Sequence, residues 1–344
     1  MNKNLDSRFI TNSFTYNDIL LEPALYNGRS RREIDITTNY LGRDFSLPII
    51  AAPMDTVVDS NVCGIMEKNG GLAILPRFNN VELEIAKARN NGSSCIVLPV
   101  GIITPKELDV KIEETKPNAI LIEVAHAHQT SVLELSKYIL NNYPHIPLMI
   151  GNIATVSAAK DFIRIGVQNI KVGVGPSPVC KTREVTGCGV PQGSAVFEIK
   201  KLADEMGSDV RIIADGGIKN SGDIVKALAF GADAVMIGSL LACASDAPGD
   251  VFYIDNKPYK TYRGMASSDV MKERGISRAA EGITAKVPVR GTLTEILQEL
   301  KDGIQSGLSY LGFNSLQELK ENRESITFRL VMPGSYAETM TMGT

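Results

Sequence analysis

Cys180 lies in the segment Gly173-Val174-Gly175-Pro176-Ser177-Pro178-Val179-Cys180-Lys181-Thr182-Arg183, which is too rich in Gly and Pro to be helical. A loop thiol beside two cationic side chains has the makings of a nucleophile, because Lys181 and Arg183 would favour thiolate over thiol. Cys63, Cys95 and Cys243 lie in apolar runs and read as small packing residues, while Cys188, in Thr186-Gly187-Cys188-Gly189, has no role assignable from sequence. Two further motifs suit an anion. Asp215-Gly216-Gly217 precedes a helical run at Ser221, and Gly238-Ser239 precedes another, so both put bare backbone N–H groups near a helix start, where phosphate binds well. His126 and His128 have the side chains for a metal pair, but no third ligand stands at suitable spacing, and His145 reads as a loop residue. From Tyr262-Arg263-Gly264-Met265 through Arg278-Ala279-Ala280-Glu281-Gly282 the chain mixes Gly with charge and reads as a mobile flap.

Positioning these residues requires a scaffold, and the apolar runs supply its outline. Leu47–Ala52, Gly71–Leu75, Ser94–Val100, Ala119–Val124, Pro147–Ile150, Asn169–Val174, Val210–Ala214 and Ala234–Ile237 are short and largely apolar, as strands buried on both faces are. Amphipathic segments such as Val81–Asn91, Thr130–Asn142, Val156–Ile165 and Ser221–Phe230 separate them. Thr104-Pro105 and Ser221 mark helix starts, and Gly92, Gly166 and Gly231 mark helix ends. Strand starts recur about every 22–28 residues, with one gap of about 40 between the sixth and seventh. Eight such units predict an α/β fold, a (β/α)8 TIM barrel with an N-terminal extension and a C-terminal flap and tail. The expected organisation is one catalytic barrel domain over residues 1–344, with the flap over about 250–292. Active sites of such barrels lie in the loops after the strands. The Asp55, Arg77, His126, Asn152, Cys180, Asp215 and Ser239 segments all fall there.

Composition narrows the partners. A net charge of −3, from 36 Lys+Arg against 39 Asp+Glu with no long basic run, argues against nucleic acid or an anionic membrane. No apolar stretch approaches the roughly 18–20 residues that span a bilayer. The polar residues Met1 to Phe14 lack a signal core, and five dispersed Cys without a CxxC pair fit free thiols in a reducing, cytoplasmic setting.

Taken together, these loops resemble those of the inosine-monophosphate dehydrogenase and guanosine-monophosphate reductase family. The resemblance runs through Tyr16-Asn17-Asp18-Ile19-Leu20-Leu21, Ala52 to Val57, Gly151-Asn152-Ile153-Ala154-Thr155, Gly175 to Gln192, Ala214 to Ser239, and Tyr262 to Met265. It implies that Cys180 attacks C2 of the purine of a nucleoside monophosphate, and that a nicotinamide cofactor, NADPH or NAD, exchanges hydride there. The 5′-phosphate would rest on Gly216, Gly217, Gly238 and Ser239 with help from Tyr262, and Asp215 would hold the ribose hydroxyls. Met54, Gly264, Met265 and Glu281 would line the base. Asp55, Arg77, Glu123, Asn152 and Arg278 are the implied cofactor residues. Carbonyls of Gly175, Ser177 and Cys180 match a loop that in many members binds a monovalent cation, K+; relatives are typically homotetramers.

Two reactions compete within that resemblance. A dehydrogenase hydrolyses its thioimidate with an Arg-Tyr pair on the flap, whereas a reductase uses a Thr–Glu pair to handle the protons of a leaving amine. Ser277-Arg278-Ala279-Ala280-Glu281-Gly282 is short and has no Tyr after Arg278, which resembles the reductase, as does Ser267-Ser268-Asp269-Val270-Met271. Thr182 and Glu281 then become catalytic beside Cys180. Ala52-Pro53-Met54 and Gly334-Ser335-Tyr336-Ala337-Glu338 look more like the dehydrogenase. Ser177-Pro178, Glu123 and Pro76-Arg77 depart from both, which leaves a third reading, a purine-nucleotide binder that is non-catalytic or takes an altered substrate. Val81 to Val100 passes from one barrel unit to the next without room for the regulatory domain pair that dehydrogenases usually insert.

Overall fold

The computed structural model describes residues 10, 13–78, 80–273, 275 and 279–331. Eight parallel strands form its centre: β1 (Ile49–Ala51), β2 (Leu72–Ala73), β3 (Val97–Val100), β4 (Ala119–Glu123), β5 (Leu148–Ile153), β6 (Asn169–Val172), β7 (Arg211–Asp215) and β8 (Ala234–Ile237). Six of the eight apolar runs contain their strand whole, while the strands begun in Pro147–Ile150 and Val210–Ala214 run on to Ile153 and Asp215. The hydrogen-bonded order is β2-β1-β8-β7-β6-β5-β4-β3, so β8 returns to pair with β1 and the sheet curls into a (β/α)8 barrel.

Side-chain alternation divides the apolar residues into two cores. Inside the barrel, Ile50, Leu72, Ile74, Val97, Ala119, Leu121, Met149, Ile213, Ala234 and Met236 form one cluster. A hairpin of Thr38–Tyr40 and Arg43–Phe45 adds Tyr40, Leu41 and Phe45 to that cluster. Outside, Ile49, Leu98, Ile120, Ile150, Ile170, Ile212 and Val235 pack against the helices. Each such aliphatic side chain contributes about 1.5–3 kcal/mol by leaving water. β6 departs from an apolar interior, because its inward positions hold Asn169 and Lys171, both buried.

The helices follow in turn: α1 (Ser60–Lys68), α2 (Val81–Asn90), α3 (Pro105–Thr115), α4 (Thr130–Asn142) and α5 (Val156–Arg164). Thr104 closes a capping box with Glu107 at the start of α3. The wide gap after β6 holds a short α6 (Thr182–Thr186) and α7 (Gln192–Glu205), and α8 (Ser221–Ala229) is capped by Asn220, whose side chain accepts from the Asp223 amide. Gly92, Gly166 and Gly231 follow helix ends with positive φ, where a side chain would be strained. The N-terminal extension is fastened by pairing of Ile19–Leu21 with Phe328–Leu330.

After β8 come α9 (Ser239–Ala242), α10 (Ser268–Glu273), α11 (Leu293–Tyr310) and α12 (Leu316–Glu321). The segment expected as a mobile flap, about 250–292, contains a three-stranded antiparallel sheet of Phe252–Ile254, Lys257–Arg263 and Thr284–Pro288. Its first turn is the two-residue Asp255-Asn256, with φ of +47° and +61°, the conformation that suits a tight hairpin. Among the described residues no helix is long and apolar enough to cross a membrane.

Candidate active site

The C-terminal ends of the strands enclose a cavity of about 240 Å³, with Cys180, Asp215, Lys171, Tyr262 and Glu281 among its walls. The loop after β6 is shaped by close backbone approach. At Gly173, φ is +152° and any Cβ would fall 2.1 Å from the Asp215 carbonyl oxygen, so only glycine fits. The chain then turns through Gly175, and the Cys180 amide donates to the Ser177 carbonyl at 3.0 Å.

Glu281 reaches this loop because the flap pairs with it as a strand would. The Lys181 amide donates to the Glu281 carbonyl at 2.7 Å, and the Ile283 amide donates to the Val179 carbonyl at 3.0 Å. Three side chains consequently align. The Cys180 thiol donates to Thr182 Oγ1 at 3.1 Å, and the Thr182 hydroxyl donates to Glu281 Oε2 at 2.8 Å. That line leads from a nucleophile to a carboxylate and can carry a proton in either direction.

The expected cationic neighbours of Cys180 are engaged elsewhere. Arg183 donates to the carbonyls of Val174 at 3.1 Å and Val190 at 2.6 Å, and so holds the ends of the loop together. Lys181 is exposed and stands 4.0 Å from Glu184. The contact made by the thiol is with a hydroxyl, not with a guanidinium, and this replaces the expectation from their adjacency in sequence.

A second polar group occupies the floor. Lys171 Nζ lies 2.7 Å from Asp215 Oδ2 and 2.9 Å from Glu123 Oε2, and it donates to Asn152 Oδ1. Burial pulls the ammonium pKa down, but Asp215 and Glu123 outweigh it and hold Lys171 above its ordinary value. Burial also raises the Glu123 carboxyl, against the pull of Lys171.

At the opposite side, Gly216 and Gly217 have φ of +89° and +80°. A Cβ at Gly238 would stand 2.6 Å from the Tyr262 hydroxyl and 3.1 Å from Met54 Sδ. Burial pushes the Tyr262 phenol up to about 12, so it remains a donor at ordinary pH.

Of the expected site residues, the cavity gathers Met54, Glu123, Asn152, Gly175, Ser177, Cys180, Thr182, Asp215, Gly216, Gly238, Tyr262, Gly264, Met265 and Glu281. Gly217 lies behind, over Tyr16 and Gln192, and Ser239 begins α9. Asp55 lines an adjoining groove, its carboxylate paired with Arg263 at 2.8 Å and 3.2 Å. Arg77 stacks on Phe78 at 3.9 Å. Arg278 and the Gly334 to Glu338 segment lie outside the described residues. His128 contacts Asp161 at 3.0 Å, and the described residues contain no group of three or more His, Cys, Asp or Glu that would hold a metal. Cys63, Cys95 and Cys243 are buried and Cys188 is exposed.

Lys171 and Gln192 were not anticipated. A lysine inside the run Asn169-Ile170-Lys171-Val172 was the available signal, since a charge in a buried strand needs partners. Gln192 donates to the carbonyls of Val172 at 2.8 Å and Asp215 at 3.2 Å, bracing two strand ends from below.

The geometry agrees with comparison to known proteins. A profile of the IMP dehydrogenase / GMP reductase domain matches residues 13–339. A GMP reductase of Lactobacillus delbrueckii subsp. bulgaricus is 34% identical over 338 residues, covering 96% of this chain and 100% of that protein. An inosine-5′-monophosphate dehydrogenase of Halalkalibacterium halodurans is 37% identical over 276 residues, 76% of this chain but 56% of the dehydrogenase. One from Aquifex aeolicus is 42% identical over 223 residues, 62% of this chain and 45% of that enzyme. The match across nearly all of the barrel makes this chain a member of the IMP dehydrogenase / GMP reductase family.

Proposed function

We propose that the protein is a GMP reductase, converting GMP to IMP and ammonia with NADPH. The observation that carries this reading is the hydrogen-bonded line Cys180–Thr182–Glu281. Reductive deamination needs a nucleophile for C2 and a group that delivers a proton to the departing amine, and this line provides both.

Cys180 Sγ bonds to C2 of GMP while its proton passes through Thr182 to Glu281. Returned to the 2-amino group, that proton lets nitrogen leave as ammonia and leaves a thioimidate between Sγ and C2. NADPH, when bound, supplies the hydride that C2 then accepts. The C–S electron pair returns to sulfur, IMP is released, and a proton from solvent restores the Cys180 thiol. Gly216, Gly217, Gly238 and Ser239 hold the 5′-phosphate with Tyr262, Asp215 holds the ribose, and Met54, Gly264 and Met265 border the base.

The residues fit a nicotinamide cofactor. Glu123 and Asn152 line the same cavity, and Arg77 offers a cationic face stacked on Phe78. Asp55 contributes through its pair with Arg263, and Arg278 is assigned by resemblance. A K+ ion would be held by the carbonyls of Gly175, Ser177 and Cys180. Ser177 already accepts one amide there and has a second lone pair. A cytoplasmic homotetramer completes the proposal.

The dehydrogenase reading, IMP to XMP with NAD, draws on the 37% identical relative and on Ala52-Pro53-Met54. Side-by-side assays separate them. GMP with NADPH should consume NADPH and release ammonia; NADH formation from IMP and NAD would support the dehydrogenase. Tight nucleotide binding with neither turnover would support the binding-only reading.

A further inference from the structure

Lys171 has no part in the reaction just described, yet its position on the cavity floor is constrained from several sides. Its side chain is 1% exposed. A Cβ at Gly151 would fall 2.5 Å from Lys171 Cβ, so a glycine on β5 leaves room for the lysine stem. The ammonium meets groups at the ends of β4, β5 and β7: Glu123, Asn152 and Asp215.

The hydrogen bonds at Asp215 are asymmetric. Lys171 Nζ donates to Asp215 Oδ2 at 2.7 Å, and Asn152 Nδ2 donates to that same oxygen at 2.8 Å. Asn152 is itself oriented, because its Oδ1 accepts from Lys171 while its Nδ2 also donates to the Gly173 carbonyl at 2.7 Å. Both donors fall on Oδ2, which leaves Oδ1 as the acceptor for a ligand hydroxyl. Glu123 is on the same wall and, without a cation between them, would repel Asp215 or share a proton with it.

We infer that Lys171 is a positioning residue for sugar recognition: it orients Asp215 and balances Glu123, so that the site selects a ribonucleotide over a deoxyribonucleotide. This inference rests on the proposed assignment of Asp215 to the ribose. A carboxylate fixed through one oxygen presents the other without paying its orientational entropy on binding. Loss of a hydrogen bond to a charged group lowers affinity by about tenfold or more. A hydroxyl on the sugar is therefore worth about tenfold only while Lys171 holds its acceptor in place.

Calorimetric titration of GMP, 2′-deoxy-GMP and guanosine into full-length wild type, Lys171→Met and Lys171→Gln tests this. Lys171→Gln removes the cation but keeps a polar side chain, and serves if the Met variant fails to fold. Wild type should prefer GMP to its 2′-deoxy analogue by about tenfold. Both variants should bind GMP about tenfold more weakly and lose that preference, while still favouring GMP over guanosine, which lacks the phosphate, because the phosphate end is intact. A variant that weakens for both nucleotides and keeps the wild-type preference would overturn the inference, as would a wild type with no preference. Wild type that binds neither GMP nor IMP would overturn the purine-nucleotide reading instead.

Discussion

Thr182 bonds to both the Cys180 sulfur and the Glu281 carboxylate, so in the proposed reaction the proton passes through its hydroxyl. Thr182→Val keeps the shape and breaks both bonds. We expect kcat to fall by about 10²–10⁴-fold with nucleotide affinity changed only a few-fold, measured by steady-state kinetics and calorimetry. Glu281→Gln should behave alike, whereas an unchanged rate in either would remove the relay. Tyr262 offers a test of stability at the same scale. Its phenol is raised to about 12, so between about pH 10 and that value the unfolded chain ionises while the folded one stays neutral. Fewer protons on the unfolded state mean that stability falls as pH rises through this window. Tyr262→Phe should therefore flatten the alkaline loss by about 2–3 kcal/mol in denaturant titrations of the free protein. At residue scale the motifs around Cys180, Asp215 and Gly238 were legible because loops rich in Gly and Pro stand out. Lys171 was hidden by its own strand: apolar neighbours mask a charge whose partners lie on three other strands.

The flap acts as an element because its backbone, not only Glu281, engages the barrel. Gly264 donates its amide to the Ile283 carbonyl at 3.0 Å, and a Cβ there would meet the Val179 carbonyl oxygen at 2.8 Å and Gly282 Cα at 3.3 Å. Both are backbone atoms and cannot rotate aside. Gly264→Ala should move the flap away from the cysteine loop and lower kcat by about tenfold or more, because a misplacement of about 1 Å is enough to disrupt proton transfer. The melting temperature should change little, since the barrel core is untouched; a normal kcat would show that the flap tolerates displacement. Arg263 makes a second attachment, pairing with Asp55 in the loop after β1 and at 2.8 Å with Glu273 in α10. Lys260, buried in the flap sheet, donates to the Ser245 carbonyl at 3.1 Å and to that of Ala247. The sheet itself was readable in principle from its aromatic and β-branched residues and the Asp255-Asn256 turn. The mixture of Gly and charge from Tyr262 to Gly282 instead reads as a mobile flap, and pairing between distant segments is not encoded in local composition.

Across the described residues, two alternating apolar stripes define a barrel, and β6, whose inward positions hold Asn169 and Lys171, also leads into the cysteine loop. Eight strands were legible because burial on both faces leaves a continuous apolar signature. How Asp55 is engaged was not, because its partner Arg263 lies 208 residues further along the chain. The architecture gathers Cys180, Thr182, Glu281, Gly216 and Gly238 around one cavity, and the central claim is that they work together on GMP. Ammonia release measured against NADPH oxidation, in wild type and Cys180→Ala, tests it most directly. The account predicts one ammonia for each NADPH consumed by wild type and none from the variant, with GMP still bound. Ammonia-producing turnover without Cys180, or wild type that instead forms NADH from IMP and NAD, would contradict it.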